Sequence, residues 1–309
     1  MVEAFRVGLL ITERCNVECD HCWFDSGPHR ENTMKVEEAV DYIDQAGEIP
    51  SVEWISITGG EPFLYPELLE SSVRHASKRG LRTECVTNCF WADSEEKAEV
   101  TLGGLVEAGL DVINVSADDF HQRHIPFERV LNCYNAAMGL EIKTVVMCTT
   151  AKSSALGAKT VKRLLGGGDI QILRAGDPRP TASAVIVETG FTPVGRGAHI
   201  PRDDWLIEEN PVGGPCDMVL RDIGVSPSGR VLPCCSAASL VEEACLGSAK
   251  EESLVKILER AARRPLFRAL STEGPSELAE RLGMKEKGYV GRCHLCYEVL
   301  TSPGLHRIL

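Results

Sequence analysis

Phe5-Arg6-Val7-Gly8-Leu9-Leu10-Ile11-Thr12-Glu13-Arg14-Cys15-Asn16-Val17-Glu18-Cys19-Asp20-His21-Cys22 decides how this chain is read. Phe5 to Thr12 is an apolar run of strand length, and it leads straight into a loop with cysteines spaced C-x3-C-x2-C. Beyond it, helix-period apolar positions extend from Met34 to Ala46, with Thr33 as N-cap and Gly47 as stop. Val52 to Thr58 reads as a strand, Pro66 to Arg79 as a helix closed by Gly80, and Leu81 to Thr87 as a strand. Ser94 to Ala108 is helical up to Gly109, Asp111 to Ser116 is a strand, Phe127 to Met138 a helix and Glu141 to Cys148 a strand. Strands alternating with helices imply a parallel sheet with helices outside it, curled or closed into a barrel. The period then blurs. A short helix over Lys159 to Leu165 is expected, and either Ile170 to Leu173 or Ala184 to Glu188 serves as sixth strand. The expected fold is α/β: a partial (β/α)6 TIM-type barrel over residues 1–200, then a small cysteine-rich α+β module over 201–309.

Composition narrows the function classes. The chain has 309 residues, with Lys and Arg totalling 33 and Asp and Glu totalling 45, for a net charge of -12. Such a surface repels phosphate backbones, so nucleic acid is not the expected partner. No apolar run approaches the roughly 20 residues of a bilayer span, and Met1 to Arg6 is not a signal peptide, so the expected location is cytoplasmic and free of membrane. Thirteen cysteines remain to be explained. In a chain of this size without an export signal, metal or redox chemistry accounts for them better than disulfides.

The loop after the first strand of a parallel βα fold lies at the carboxyl edge of the sheet, where active sites are built. Three thiolates there can hold three irons of a cubane cluster and leave the fourth iron open to a small molecule. With His21, the same cysteines can alternatively form a closed zinc site, although adjacent His21 and Cys22 chelate awkwardly. Cys15 to Trp23, with an aromatic side chain just before the third cysteine, resembles the signature loop of the radical S-adenosylmethionine (AdoMet) superfamily. Thr58-Gly59-Gly60-Glu61-Pro62 at the end of the second strand resembles that family's GGEP motif. The resemblance implies a [4Fe-4S] cluster on Cys15, Cys19 and Cys22, and AdoMet held by Gly59, Gly60, Glu61 and Pro62. Glycines permit close backbone approach, and Glu61 can accept a hydrogen bond from the AdoMet ammonium. Softer matches are Thr87 and Asn88 after the third strand, Ser116 and Asp118 after the fourth, and Arg196 in Pro193-Val194-Gly195-Arg196-Gly197. Turn or capping roles explain these equally well. The implied chemistry is reductive cleavage of AdoMet to a 5′-deoxyadenosyl radical, which abstracts a hydrogen atom from the substrate. An external one-electron reductant of flavodoxin or ferredoxin type is implied with it.

A second set of cysteines, Cys216, Cys234, Cys293 and Cys296, follows the pattern C-x12-G-x4-C and then C-x2-C. Pro227-Ser228-Gly229 marks a hairpin turn that brings Cys216 and Cys234 toward one site. In isolation two separated pairs suggest zinc. In this context they resemble the auxiliary-cluster module of radical AdoMet enzymes. No cysteine follows Cys296, which matches the truncated, twitch form of the longer SPASM module and implies one auxiliary [4Fe-4S] cluster. A helix from Ser253 to Arg263 fits between the two motifs.

Six cysteines are left over: Cys85, Cys89, Cys133, Cys148, Cys235 and Cys245. Core packing is the default for them, and Cys133 and Cys148 sit at apolar-periodic positions. Cys235 or Cys245 can instead face the cavity and return a hydrogen atom to a substrate radical, and Cys89 can reach it as well. Asp119 and His121, in the polar loop after the fourth strand, are candidate proton acceptors. Relatives with such modules mostly modify ribosomally made peptides by epimerisation or crosslinking; fewer oxidise alcohols of cyclitols or aminosugars. The first strand begins near Phe5, which leaves no room for the N-terminal recognition domain common in peptide enzymes. Peptide modification is the favoured expectation. Dehydrogenation of a small-molecule alcohol and a non-catalytic iron-sulfur or zinc scaffold are the alternatives.

Overall fold

The computed structural model describes residues 4–173, 182–207, 213–284 and 288–309. Eight strands of its single ten-stranded sheet are parallel. In chain order the barrel region contains β1 (Arg6–Thr12), α1 (Val36–Gly47), β2 (Trp54–Gly59), α2 (Pro66–Lys78), β3 (Arg82–Thr87), α3 (Glu95–Ala108) and β4 (Val112–Ser116). Then come α4 (Asp119–Gln122), α5 (Phe127–Gly139), β5 (Lys143–Thr150), α6 (Ala158–Leu164), β6 (Ile170–Leu173) and β7 (Ala184–Gly190). The cysteine-rich region adds β8 (Asp222–Val225), β9 (Arg230–Leu232), β10 (Gly247–Ser248), α7 (Leu254–Ala261), α8 (Pro265–Thr272), α9 (Pro275–Arg281) and α10 (Arg292–Leu300). The expected βα alternation is present, as an open, partial barrel.

The order across the sheet is β10-β9-β8-β1-β2-β3-β4-β5-β7-β6. Both candidates for the sixth strand are therefore strands. Ala184–Gly190 takes the place beside β5, pairing in parallel from Thr144↔Ala184 to Thr150↔Gly190, and Ile170–Leu173 is added outside it. At the other edge β8 pairs in parallel with β1, Arg6 opposite Asp222, so the cysteine-rich region continues the barrel sheet. The expected hairpin is there: β8 and β9 are antiparallel, and Gly229 turns between them at a φ of +85°, where a side chain would be strained.

Local signals explain most element ends. Ser94 caps α3 by accepting a hydrogen bond from the Lys97 N–H, and Gly109 ends it in the left-handed region at φ +108°. The start of α1 differs from expectation. Lys35 is the N-cap, because the Thr33 hydroxyl is taken by Thr12 Oγ1 at 2.8 Å, which ties the cysteine loop's exit back to β1. The core lies between sheet and helices, where Leu9, Ile11, Ile55, Ile57 and Ile113 meet Tyr42, Ile43, Leu69 and Leu102, all but fully buried. No helix among the described residues is long and apolar enough to cross a membrane.

Candidate cluster and cofactor site

The carboxyl ends of the parallel strands surround a cavity of about 390 Å³. The β1 loop brings Cys15, Cys19 and Cys22 to it, and β2 brings Gly59, Gly60 and Glu61. Thr87, Asn88 and Ser116 line it from β3 and β4, joined by His121 and Arg196. Pro62, Asp118 and Asp119 are not among its lining residues.

The two glycines do something other than what their sequence suggests. A Cβ on Gly59 would lie 2.3 Å from the Thr12 carbonyl oxygen, and one on Gly60 would lie 2.0 Å from that of Arg14. Gly60 N–H donates to Thr12 O at 2.7 Å and Glu61 N–H to Arg14 O at 2.9 Å. Their absent side chains thus let the β2 turn pack directly onto the start of the cysteine loop. Glu61 is fully buried and accepts from the Asn88 N–H (2.8 Å), the Thr87 hydroxyl (2.9 Å) and the Phe63 N–H (3.1 Å). Burial raises its pKa to about 7, against the pull of those hydrogen bonds. Asn88 in turn donates to Asn16 Oδ1 at 2.9 Å, within the cysteine loop.

Burial, with the neighbouring charges of Glu61 and Cys22, pushes the Cys15 thiol up to about 12, and Cys19 is pushed up by burial and by Cys15 and Cys22. Buried thiols raised in this way stay protonated near neutral pH, and a cation bound among them would lower the cost of ionising them. Their spacing separates the two metal readings. A tetrahedral zinc ion with bonds of about 2.3 Å needs sulfurs roughly 3.8 Å apart. Among the described residues no set of three cysteines meets even a 4.8 Å limit, and the one compact donor group is Cys19, His21 and His121. Cys15, Cys19 and Cys22 are thus spread more widely than a zinc site needs, and all three line the cavity that Gly59, Gly60 and Glu61 enter from β2. His21 has its Nδ1 buried without a partner, and burial, with the charge of His121, lowers its pKa to about 3.

Asp118, though assigned to the cofactor by resemblance, is occupied within the fold. Its carboxylate caps α4 by accepting from the His121 N–H (3.0 Å), holds His121 Nδ1 at 2.9 and 3.0 Å, and accepts from the Thr149 N–H at 3.2 Å. Burial raises its pKa, but the charge and hydrogen bonds of His121 outweigh this and hold it below the ordinary value. Asp119 accepts from the Leu156 N–H at 2.8 Å and lines a separate pocket. Arg196 braces the cysteine loop, donating to Cys19 O (3.0 Å), Asp25 Oδ1 (2.8 Å) and Ser26 O (2.7 Å).

The spare cysteines separate cleanly. Cys235 lines the main cavity. The Cys245 thiol points to the carbonyls of Val231 and Gly247, both at 3.6 Å, and it is absent from the cavity lining. Cys89 is fully buried and bonds to Cys133, so it does not reach the cavity. A feature missed in the sequence lies beside Cys235. The Arg6 guanidinium grips Asp222 through two bonds (2.7 and 2.6 Å) and Glu84 through one (2.8 Å), and Asn114 donates to Glu84 at 3.2 Å. Part of the signal was available: Asn114 sets a side-chain amide within the otherwise apolar run Val112 to Val115 of β4. Gly8 belongs to the same arrangement, since a Cβ there would meet Cys235 Sγ at 2.6 Å.

The second set of cysteines also converges. Burial raises the Cys234 thiol, and Cys296, Cys293 and Cys216 raise it further; burial, with Cys216 and Cys293, pushes Cys296 up to about 12. Four cysteines on three segments, whose thiolates would repel one another, form a donor set suited to a closed cluster.

Comparison with known proteins agrees with this geometry. Residues 9–151 match the family model of the Radical SAM superfamily, and residues 216–297 match SPASM, described as an iron-sulfur cluster-binding domain. The chain is 21% identical over 271 residues to "Putative peptide biosynthesis protein YydG" of Bacillus subtilis, an alignment covering 87% of this chain and 81% of that one. It is 33% identical over 113 residues to GTP 3′,8-cyclase of Chlorobaculum tepidum, covering 36% of this chain and 32% of that one. The structure of Streptococcus suis SuiB bound to S-adenosylmethionine shares the fold, with a TM-score of 0.59 at 14% identity over 86% of this chain and 67% of that one. The chain belongs to the radical AdoMet superfamily, carries a SPASM/twitch iron-sulfur domain after its partial barrel, and uses AdoMet and a [4Fe-4S] cluster as cofactors.

Proposed function

We propose that this enzyme epimerises a residue of a ribosomally made peptide, with Cys235 returning the hydrogen atom. The observation that carries the proposal is the placement of Cys235 in the cavity that also receives Cys15, Cys19, Cys22 and Glu61. In this reading residues 1–200 form the catalytic barrel and residues 201–309 the auxiliary module. Cys15, Cys19 and Cys22 hold the first cluster, and Cys216, Cys234, Cys293 and Cys296 an auxiliary one. Gly59, Gly60, Glu61, Thr87, Asn88 and Ser116 frame the AdoMet. When bound and reduced, the cofactors supply a carbon-centred radical that removes a hydrogen atom.

The remaining chemistry falls to the chain. Epimerisation is redox-neutral for the substrate: one hydrogen atom leaves one face of the α-carbon and another arrives on the opposite face. Crosslinking and dehydrogenation remove two hydrogens and need no thiol donor. Cys235 is kept as a neutral thiol, because burial, with the charge of Asp222, raises its pKa. A neutral thiol carries the hydrogen atom to be given. Gly8 leaves the space it occupies. After each turnover the sulfur must regain one electron and one proton, and an external one-electron reductant is the ultimate electron source. Similarity to YydG, whose name refers to peptide biosynthesis, supports a peptide over a cyclitol or aminosugar. A cytoplasmic setting suits the oxygen-sensitive clusters.

The test is turnover of candidate peptides in deuterated water. One solvent deuterium at a single α-carbon is expected. Cys235→Ala should still cleave AdoMet and remove the hydrogen but should form no epimer. A product two hydrogens lighter from the unaltered enzyme, or unchanged deuterium uptake in Cys235→Ala, would refute the reading.

A further inference from the structure

The net charge of -12 is unevenly distributed. Residues 253–272 carry five basic side chains, Lys256, Arg260, Arg263, Arg264 and Arg268, against one acid, Glu259. Lys256 and Arg260 lie on α7 and Arg268 on α8, with Arg263 and Arg264 in the turn that joins the two helices. Arg260 pairs with Glu252, and Arg264 donates to Cys245 O (3.0 Å) and Glu243 O (2.7 Å), so both are used within the module. Lys256, Arg263 and Arg268 are exposed, and their side chains make no hydrogen bond or ion pair with the described residues. An acidic chain thus exposes one locally basic segment.

Through Arg268 that segment adjoins the second cysteine site. A groove of about 400 Å³ is lined by Cys216, Asp217, Arg221, Phe267 and Arg268. The Cys216 N–H donates to Leu270 O at 2.8 Å, so α8 is bonded directly to the backbone of one of the four cysteines. Cys216 is half-buried and Cys293 is exposed. At the first site Cys22 is half-buried like Cys216, but no cysteine is exposed as Cys293 is. Cys15 and Cys19 are buried, and the exposed acids on its loop are paired, Asp20 with Arg123, Asp25 with Arg196 and Glu18 with His29.

We propose that the groove along α8 is the docking surface for a small acidic one-electron carrier protein, which reduces the auxiliary cluster from the Cys216 side. The balance is simple: the carrier loses one electron, the cluster gains one, and no bond is made or broken. Charge complementarity selects the occupant. An acidic carrier is repelled by most of this surface and attracted here, and such steering raises encounter rates by about 10- to 1,000-fold at low salt. The proposal rests on the four cysteines holding a cluster and is independent of what the substrate is.

The test uses the holoenzyme with both clusters in place, no peptide, and an acidic bacterial flavodoxin reduced to its hydroquinone. Two quantities are measured at low and high salt: the Kd for flavodoxin and the rate of hydroquinone oxidation. Arg263→Glu with Arg268→Glu should weaken binding and slow electron uptake by about tenfold or more at low salt. Reduction by dithionite, which needs no docking, should not change. Arg263→Lys with Arg268→Lys should restore both quantities, and Lys159→Glu with Arg163→Glu on α6, an equal charge change elsewhere, should leave them within about twofold. Normal flavodoxin binding in the glutamate pair overturns the proposal. So does a lysine pair as slow as the glutamate pair, or an equal loss in the α6 control.

Discussion

Gly8 is where the proposed chemistry is most exposed to a single atom. Cysteine has one side-chain torsion, so a Cβ at 2.6 Å from the Cys235 sulfur forces the thiol off its position. Gly8→Ala is expected to keep both clusters and AdoMet cleavage while lowering epimer formation by about tenfold or more, because small misplacements of reacting groups cost that much. The ratio of epimer to 5′-deoxyadenosine released measures it. At Gly60 the obstacle is a backbone carbonyl 2.0 Å away, which has nowhere to go. Gly60→Ala should therefore destabilise the protein by roughly 2–4 kcal/mol and reduce iron uptake, read from denaturant midpoints and iron content. Glu61 adds a pH signature. Its pKa is about 7 in the folded protein against an ordinary 4.5, so the folded state keeps a proton that the unfolded chain releases. Stability of the metal-free protein should then fall as pH rises from about 4.5 to 7 and level off above, by up to roughly 3 kcal/mol. Urea unfolding at pH 5 and pH 7.5 should show that difference, and Glu61→Gln should abolish it. The identities of these residues were legible in the GGEP motif. Their close partner was not, because contact between the β2 turn and the β1 loop exists only once the two strands pair.

Among elements, the barrel strands and helices were legible because each is built on one period with a chemical stop, such as Ser94 before α3 and Gly109 after it. Sheet order was less so. Ile170–Leu173 and Ala184–Gly190 are equally strand-like, and only packing places the later one beside β5. Arg196 shows the same limit. It lies in a short 3-10 turn, Gly195–His199, with no periodic pattern to read, yet its three hydrogen bonds fix the cysteine loop from across the cavity mouth. Lysine cannot reproduce that forked contact. Arg196→Lys should weaken retention of the first cluster by about 10- to 100-fold, the usual effect of removing a group that orients metal ligands. Competition with a chelator, followed by the iron absorbance, checks this. Unchanged iron retention would mean that Asn88 and the β2 turn hold the loop without it.

At the scale of the molecule, the boundary expected near residue 200 meets a sheet that does not stop there. β8 extends it beyond β1, and Arg6, on the first strand, binds Asp222, on the first strand of the cysteine-rich region. Such long-range pairing leaves no local trace in sequence. The two regions nevertheless depend on metal to different degrees. The barrel core is continuous aliphatic packing through Val7, Ile55, Ile113 and Val146 and includes no cluster. α10 is nine residues long, too short to persist alone, since isolated helices need about 12–15 residues. It buries Leu295, Val299 and Leu300, a gain of the same order as the entropy lost in ordering its backbone. Burial and then Cys216 raise the cost of ionising both of its cysteines, Cys293 and Cys296, and on the proposed ligand set bound iron would offset that cost and add the remaining stabilisation. Anaerobic removal of iron should accordingly raise amide hydrogen exchange across Arg292–Leu300 by about tenfold or more while β1 to β5 keep their protection. If protection falls together in both regions, the shared sheet and the Arg6–Asp222 pair have joined them into one cooperative unit, and the cluster stabilises the barrel as well.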